Sequence, residues 1–481
     1  MTNENIKKPN ILLIVMDQLA LHAVSCYEAP LCKTPHIDSL AQDGIKFERS
    51  YTPCALCTPA RASLLSGVYP HKHGAIFNSE TGHLPFSENE LGKRLELYPQ
   101  KLKEAGYQLG YMGKWHAGLA ETANDVGFEG YGPKNYGDVR NSKEYHQYLK
   151  EHSLSELETV IEFYAQNEQN KMDSSGYVKG STEATPSHFI ANRTIEMMKQ
   201  FSEKDSPFFM TCNFWGPHAP YWPSEEYKDL YNPQDIPPWK SFDEDLTNKP
   251  QLHRRYRKHV MPNAGKAGWD IWSQVVARYY AQTTMIDAAM GKILNALKVM
   301  GHYDDTLLIF TADHGESVGI HGGIFDKGAM AYEEIYHTPL IIKMPGFIGA
   351  GTTRDHWVSL LDVTATICQA TGTSMQDLDG QSLFPIIGGL DCVWRDDMIA
   401  QFHGHRFPVS QRILWWKNFK YVLNFADTDE LYDLEHDSAE LHNLILDSSS
   451  VDLLKEMKKR MWNNMKKTGD TLGPQAWTFF E

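Results

Sequence analysis

Five short apolar runs, and the residues that end them, limit the folds open to this chain more than any other feature. Residues 10–16 read NILLIVM, a continuous apolar run such as a central strand covered on both faces requires. Residues 306–311 (TLLIFT), 207–213 (PFFMTCN), 108–112 (QLGYM) and 339–344 (PLIIKM) repeat the pattern. Helical spacing over 34–43, 91–105, 188–203, 275–300 and 360–370 separates them. Strands alternating with helices predict an α/β fold, with a large, mostly parallel sheet sandwiched by helices. Four of the five runs lead into polar residues: Asp17-Gln18, Lys114-Trp115-His116, His218 and Asp313-His314. In such sheets ligands gather at the carboxyl ends of the strands.

The 481 residues suggest a large domain over 1–376 and a smaller α+β subdomain over 391–481, joined by a Gly- and Pro-rich linker at 377–390. Strand-like runs at 397–402, 412–416 and 420–424 precede a helical pattern at 451–465 in the smaller part. Residues 121–180 are polar and loop-rich, a segment suited to carry specificity. A net charge of −15 without a dense basic patch argues against nucleic-acid binding, and an anionic substrate must find a locally basic pocket. Seven scattered cysteines do not form a disulfide framework. The polar N-terminus, Met1 to Pro9, precedes an apolar run too short for a signal-peptide core. No stretch approaches the length of a membrane span. A cytoplasmic protein with no membrane or nucleic-acid partner is the expectation.

Asp17, Gln18, Asp313 and His314 offer two carboxylates, an amide oxygen and an imidazole at two strand ends, a set that suits Ca²⁺ or Mn²⁺. Singly, Asp17 reads as a helix N-cap, His314 as a turn histidine, and Lys114 or Lys327 as a solvated surface lysine. Cys54-Ala-Leu-Cys57 reads as a redox pair, half of a zinc site, or two buried cysteines. No second C-x-x-C exists to complete a four-cysteine zinc site.

Cys57-Thr58-Pro59-Ala60-Arg61, followed by Leu65 and Gly67, resembles the signature of the type I sulfatases of the alkaline-phosphatase-like superfamily, C-x-P-x-R-x-x-x-L-x-G. Gly113-Lys114-Trp115-His116 with Gly118, Pro217-His218-Ala219-Pro220, Asp313-His314-Gly315 and Lys327 resemble further family segments in the family's order. Asp379-Gly380-Gln381-Ser382-Leu383 and Glu430-Leu431-Tyr432-Asp433-Leu434 extend the resemblance to about Leu444. It implies that Cys57 is oxidised to Cα-formylglycine by a maturation enzyme, either formylglycine-generating or anaerobic sulfatase-maturating. It also implies that Asp17, Gln18, residue 57, Asp313 and His314 hold a divalent cation, and that the sheet is mixed. Many members carry two aspartates where this chain has Asp17-Gln18. The pair resembles the phosphonate monoester hydrolase and choline-sulfatase branches and leaves Ca²⁺ and Mn²⁺ both open.

The implied reaction is hydrolysis of a sulfate ester. One hydroxyl of the hydrated aldehyde attacks sulfur, with Asp313 accepting its proton and Arg61 supporting the hydrate. His218 and Lys327 serve the departing oxygen, and His116, oriented by Lys114, serves the collapse that expels sulfate. His71 and His73 read as supporting or structural groups. His403, His405 and Arg406 could line a pocket for a sulfated sugar, the favoured substrate. The rivals are a phosphonate or phosphate ester hydrolase with the same nucleophile, a non-catalytic relative, and a C-x-x-C oxidoreductase.

Overall fold

The computed structural model describes residues 8–27, 29, 31–78, 91–118, 120–390 and 392–470. The polar segment 1–7 and the last eleven residues of the C-terminal part, 471–481, lie outside the described residues.

All five apolar runs are strands. Among the described residues there are fourteen strands: β1 (Asn10–Asp17), β2 (Ile45–Tyr51), β3 (Gln108–Gly113), β4 (Glu129–Tyr131), β5 (Glu158–Tyr164), β6 (Ser174–Lys179), β7 (Phe208–Pro217), β8 (Thr306–Ala312), β9 (Leu340–Lys343), β10 (Thr352–Ser359), β11 (Asp397–Phe402), β12 (Gln411–Trp416), β13 (Phe419–Asn424) and β14 (Glu430–Asp433). Eight form one sheet in the order β10-β2-β9-β8-β1-β7-β3-β4. β1 lies between β7 and β8 and is parallel to both. Its side chains alternate between two cores. Leu12, Ile14 and Met16 join Ile190, Val276 and Tyr279 on one side, while Ile11, Leu13 and Val15 join Ala62, Leu64 and Val363 on the other. An unbroken apolar run is therefore what this position needs.

The sheet is mixed because β9 pairs antiparallel with both β8 and β2. The connection after β8 consequently leaves and re-enters the sheet at one edge, and residues 313–339 form a long loop over the carboxyl ends of the central strands. β2 (IKFERSY) and β10 (TTRDHWVS) were not legible as strands. Charged residues interrupt their apolar pattern, and β10 is the sheet's outer strand. The helix expected over 91–105 is two short ones, Leu91–Arg94 and Tyr98–Glu104. Pro99 lacks the N–H that would continue the first helix, so it sits in the opening turn of the second.

β11 to β14 form a separate antiparallel sheet. The helix Val451–Thr468 packs Met457, Met461 and Met465 against Leu414, Tyr421 and Leu431 of that sheet. The segment 377–390 is packed rather than a free linker. Leu383, Ile386 and Ile387 are buried in the main core, and Asp362 accepts the Gln381 N–H at 2.7 Å. Among the described residues no helix is long and apolar enough to cross a membrane.

The loop after β8 is clamped to the C-terminal sheet by a buried polar seam. Lys420 Nζ donates to the Ala331 carbonyl at 2.6 Å, Trp415 Nε1 to Glu333 Oε1 at 2.6 Å, and the Glu333 N–H to Glu440 Oε2 at 2.8 Å. His321, Glu334 and Glu440 cluster here, and Lys420 and Lys249 supply the positive charge beside Glu440. Burial first, then Glu333 and Glu334, push Glu440 up to about 8 against the pull of Lys420. A carboxyl with a raised folded pKa holds a proton that the unfolded chain releases. Its stabilising contribution is present below the ordinary carboxylate range and is lost as pH rises through about 8. Thermal unfolding scans between pH 5 and pH 8 should show Tm falling across this window, with a shallower fall in Glu440→Gln.

Candidate active site

The carboxyl ends of β1, β3, β7 and β8 lie side by side, and each delivers a polar residue to one buried centre. Asp17 closes β1 and Asp313 follows β8; the neighbouring register of these strands brings the two carboxylates together. Cys57 opens the helix Cys57–Ser66, every residue of which is buried. Its Sγ lies 3.7 Å from Asp17 Oδ1 and 3.2 Å from His314 Nε2. Asp17, Cys57, Asp313 and His314 each offer one ligand atom, all within 4.8 Å of one another. Cys54 is buried one turn earlier, before the helix, and all seven cysteines are free thiols.

Two buried carboxylates this close repel by about 3 kcal/mol or more at an effective dielectric of about 20. Two side chains and two backbone N–H groups hold them ionised. Arg61, one turn after Cys57, donates Nε to Asp313 Oδ2 at 3.0 Å and Nη1 to the Lys114 carbonyl at 2.9 Å. Lys114 Nζ pairs with Asp17 Oδ2, and Asp313 Oδ1 accepts the N–H groups of Gln18 and His314 at 3.0 and 2.9 Å. Burial raises the Asp313 pKa, but Arg61, Lys114 and the Gln18 N–H outweigh it and hold it well below the usual range. Burial and Asp313 likewise raise Asp17, while Lys114 and Arg61 bring it below normal.

The donor set fits a divalent cation. His314 Nδ1 lies 2.9 Å from the Gly315 carbonyl, which fixes the hydrogen there and leaves Nε2 as the lone-pair nitrogen facing Cys57. Gln18 takes a different path from that expected of a ligand. Its backbone turns to φ 61°, its Oε1 accepts from Lys327 Nζ at 2.6 Å, and its Nε2 faces Glu316 and Asp326. The amide thus ties the cation cluster to the loop after β8.

On the opposite side, Lys327 Nζ lies 3.3 Å from His218 Nε2 and 3.0 Å from Asp326 Oδ1. The Lys327 ammonium is held charged: burial opposes this, but Asp326 and Asp17 outweigh it. His218 is pushed well below its ordinary range by burial and by Lys327. Its Nδ1 lies 2.6 Å from the Ala219 carbonyl, so the neutral ring carries its hydrogen at Nδ1 and accepts from Lys327 at Nε2. Tyr136 closes the site from the loop after β4. Lys114 Nζ lies 4.3 Å from its ring centroid, and His116 and His218 present their rings at 5.3 and 5.6 Å.

The predicted sugar-binding histidines part company. His405 Nε2 lies 3.8 Å and Arg406 Nη2 3.5 Å from Asp326 Oδ2, next to Lys327. His403 faces away, 3.5 Å from Gln401 Oε1, and does not join the centre. Gly404 at φ 120° turns the chain between them, and a side chain there would meet the Phe407 carbonyl. His71 and His73 are structural: His71 Nε2 bonds the Thr468 carbonyl at 3.0 Å and His73 Nε2 bonds Ser63 Oγ at 3.0 Å. Glu316, Tyr136 and Asp173 at this site were not legible in the sequence. None belongs to a quoted motif, and Asp173 arrives from the β5–β6 hairpin, where Arg406 Nη2 meets its Oδ2 at 3.3 Å.

A family model described as Sulfatase matches residues 9–373, and one described as N-sulphoglucosamine sulphohydrolase, C-terminal, matches 319–467. The chain belongs to the sulfatase family. It is a sulfuric ester hydrolase. An uncharacterized sulfatase of Escherichia coli, YidJ, is 29% identical over 480 residues, covering 98% of this chain and 90% of that protein. An N-acetylglucosamine-6-O-sulfatase of Bacteroides thetaiotaomicron is 25% identical over 533 residues, covering 97% and 88%. Among solved structures, the phosphonate monoester hydrolase of Agrobacterium radiobacter superposes with a TM-score of 0.78 at 24% identity, covering 96% of each chain. That likeness shows a shared fold.

Replacing Arg61 by Met removes the guanidinium between two buried carboxylates. Breaking such a pair costs about 3–5 kcal/mol. Thermal unfolding of chelator-treated Arg61→Met should therefore show Tm lowered by several degrees relative to wild type treated alike.

Proposed function

We propose that this sulfatase uses residue 57, oxidised to formylglycine, as its nucleophile, and that its substrate is an O-sulfated carbohydrate. The observation that carries the reading is the placement of Cys57 at a helix start between Asp17 and His314, with a charged lysine across the site. Arg61 Nη2 is buried without a hydrogen-bond partner, 3.9 Å from Asp17 Oδ2, and is available to an oxygen on residue 57. Asp17, residue 57, Asp313 and His314 would hold Ca²⁺ or Mn²⁺, with Gln18 at the edge of the set. The cation, when bound, supplies positive charge that makes a hydroxyl on residue 57 more acidic and offsets charge on the sulfate oxygens.

The remaining chemistry belongs to the chain. Lys114 neutralises Asp17. Lys327 places its ammonium where negative charge develops on the departing oxygen, in a site shielded from water. The proton for that oxygen comes from the Lys327 ammonium, and His218, accepting at Nε2, orients it. His116, beside Tyr136, is the base for release of sulfate. The carbohydrate preference is supported by the N-acetylglucosamine-6-O-sulfatase relative and by a solved structure titled as a complex with its substrate D-glucosamine-2-N,6-O-disulfate. A phosphonate or phosphate ester is the second reading, favoured by Gln18, which removes one negative charge where many members carry a second aspartate.

Cys57→Ser should lose activity by orders of magnitude while its melting curve is retained. Active protein should show the formylglycine mass at residue 57 and should depend on co-expression of a maturation enzyme. Paired kinetics on 4-nitrophenyl sulfate and an aryl phosphonate decide between the two ester classes. A higher kcat/KM on the phosphonate would favour the second reading. Lys327→Met and His218→Ala should lower kcat/KM at least tenfold more on an alkyl sulfate than on 4-nitrophenyl sulfate, because only the poorer leaving group needs the proton. Equal losses on both would remove the proton-transfer role.

A further inference from the structure

Three distant segments meet beside Lys327 and form a rim on the side assigned to the leaving group. The β5–β6 hairpin brings Asp173, the loop after β8 brings Asp326, and the β11–β12 hairpin brings His405 and Arg406. Asp173 is fixed at the base of its hairpin, where its carbonyl accepts the Ala165 N–H at 2.8 Å and its Oδ2 accepts from Asn170 at 2.7 Å. Arg406, at φ 60°, spans the two carboxylates with Nη2, at 3.3 Å from Asp173 Oδ2 and 3.5 Å from Asp326 Oδ2. Its Nε faces His405 Nε2 at 3.3 Å, and its Nη1 makes no hydrogen bond among the described residues. Exposure grades across the group. The Arg406 side chain is 27% exposed, whereas those of Asp173, Asp326 and Lys327 are 8%, 5% and 3% exposed. The guanidinium therefore stands at the outer edge, with the lysine deepest, against His218.

The charges of this rim cancel. Asp173 and Asp326 carry two negative charges and Arg406 and Lys327 two positive ones, while burial keeps His405 below its ordinary range and neutral. Glu316, behind Gln18, adds no positive charge. A second carboxylate or sulfate on the substrate would find no unpaired cation here and would meet Asp173. A hydroxyl finds both halves of a hydrogen bond, since the carboxylate accepts and the guanidinium donates.

We propose that Asp173 and Arg406 form the leaving-group subsite and select a neutral, hydroxyl-bearing sugar sulfate over one carrying a second acid group. This rests on the sulfatase reading and extends it to residues outside the family motifs. A polar site built around a substrate hydroxyl discriminates steeply, because its buried groups are left unpaired by a ligand that lacks the partner.

Three substrates test it: N-acetylglucosamine 6-sulfate, a 2-O-sulfated uronate, and 4-nitrophenyl sulfate, whose leaving group has no neighbouring hydroxyls. Wild type should prefer the neutral sugar to the uronate. Asp173→Ala and Arg406→Ala should lower kcat/KM on the neutral sugar by one to two orders of magnitude more than on the aryl ester. Asp173→Asn frees the positive charge of Arg406 and should shift the neutral-to-acidic ratio at least tenfold toward the uronate, a change that mere loosening of the fold would not produce. Equal losses on sugar and aryl ester, an unchanged ratio in Asp173→Asn, or a wild type that prefers the uronate would each overturn the assignment. A wild type that releases no sulfate from any of the three would remove the parent reading and this one with it.

Discussion

Asp17 and Asp313 are buried side by side, both ionised, at the ends of adjacent parallel strands. Neither could stay charged there alone. Burial favours the neutral form of each, and each raises the pKa of the other. Their neighbours follow from that constraint. Arg61 must come from a helix fully enclosed between sheet and core, because an exposed guanidinium would lose its charge-assisted bonds to water. Lys114 must lie beyond the end of β3 to reach Asp17, and backbone N–H groups are spent on Asp313. What remains beside residue 57 is a pair of buried carboxylates offset by Arg61 and Lys114, a local concentration of cationic side chains in a chain whose net charge is −15.

The second constraint is topological. Because β9 runs antiparallel to β8, the chain between them must loop out and back over the sheet's carboxyl edge. That loop carries Asp313, His314, Glu316, Asp326 and Lys327, so the candidate metal ligands and the buried lysine across from them are parts of one segment. Gln18 bonds to its far end, and the seam of Glu333, Glu440, Lys420 and Trp415 anchors it to the C-terminal sheet. The smaller sheet thus positions the loop and also contributes Arg406 to the rim. Where the β5–β6 and β11–β12 hairpins meet, the opposite charges of Asp173 and Arg406 pair.

Much of this was legible in the chain. Unbroken apolar runs such as NILLIVM can serve only buried strands, and the polar residues that end them mark one edge of the sheet. The signature around Cys57 is short and contiguous, so Arg61 is carried to the same face by helical spacing alone. β2 and β10 escaped notice because their outward residues are charged, and the 91–105 segment looked continuous because its helical spacing persists across the break before Pro99. His403, His405 and Arg406 looked equivalent by proximity in sequence, yet the turn at Gly404 sends the first away from the centre.

Local patterns in the chain carried the central strands and the family, because periodicity and motifs act over a few residues and need no partner. The packing of distant segments set the rest: Gln18 reaches Lys327 rather than the carboxylates at 17 and 313, His218 turns its Nδ1 to the Ala219 carbonyl, and Asp173 meets Arg406 across 233 residues. Those outcomes depend on burial and on charges brought close by the crossing of separate segments. Long-range electrostatic contacts of this kind leave no local pattern from which they could be read.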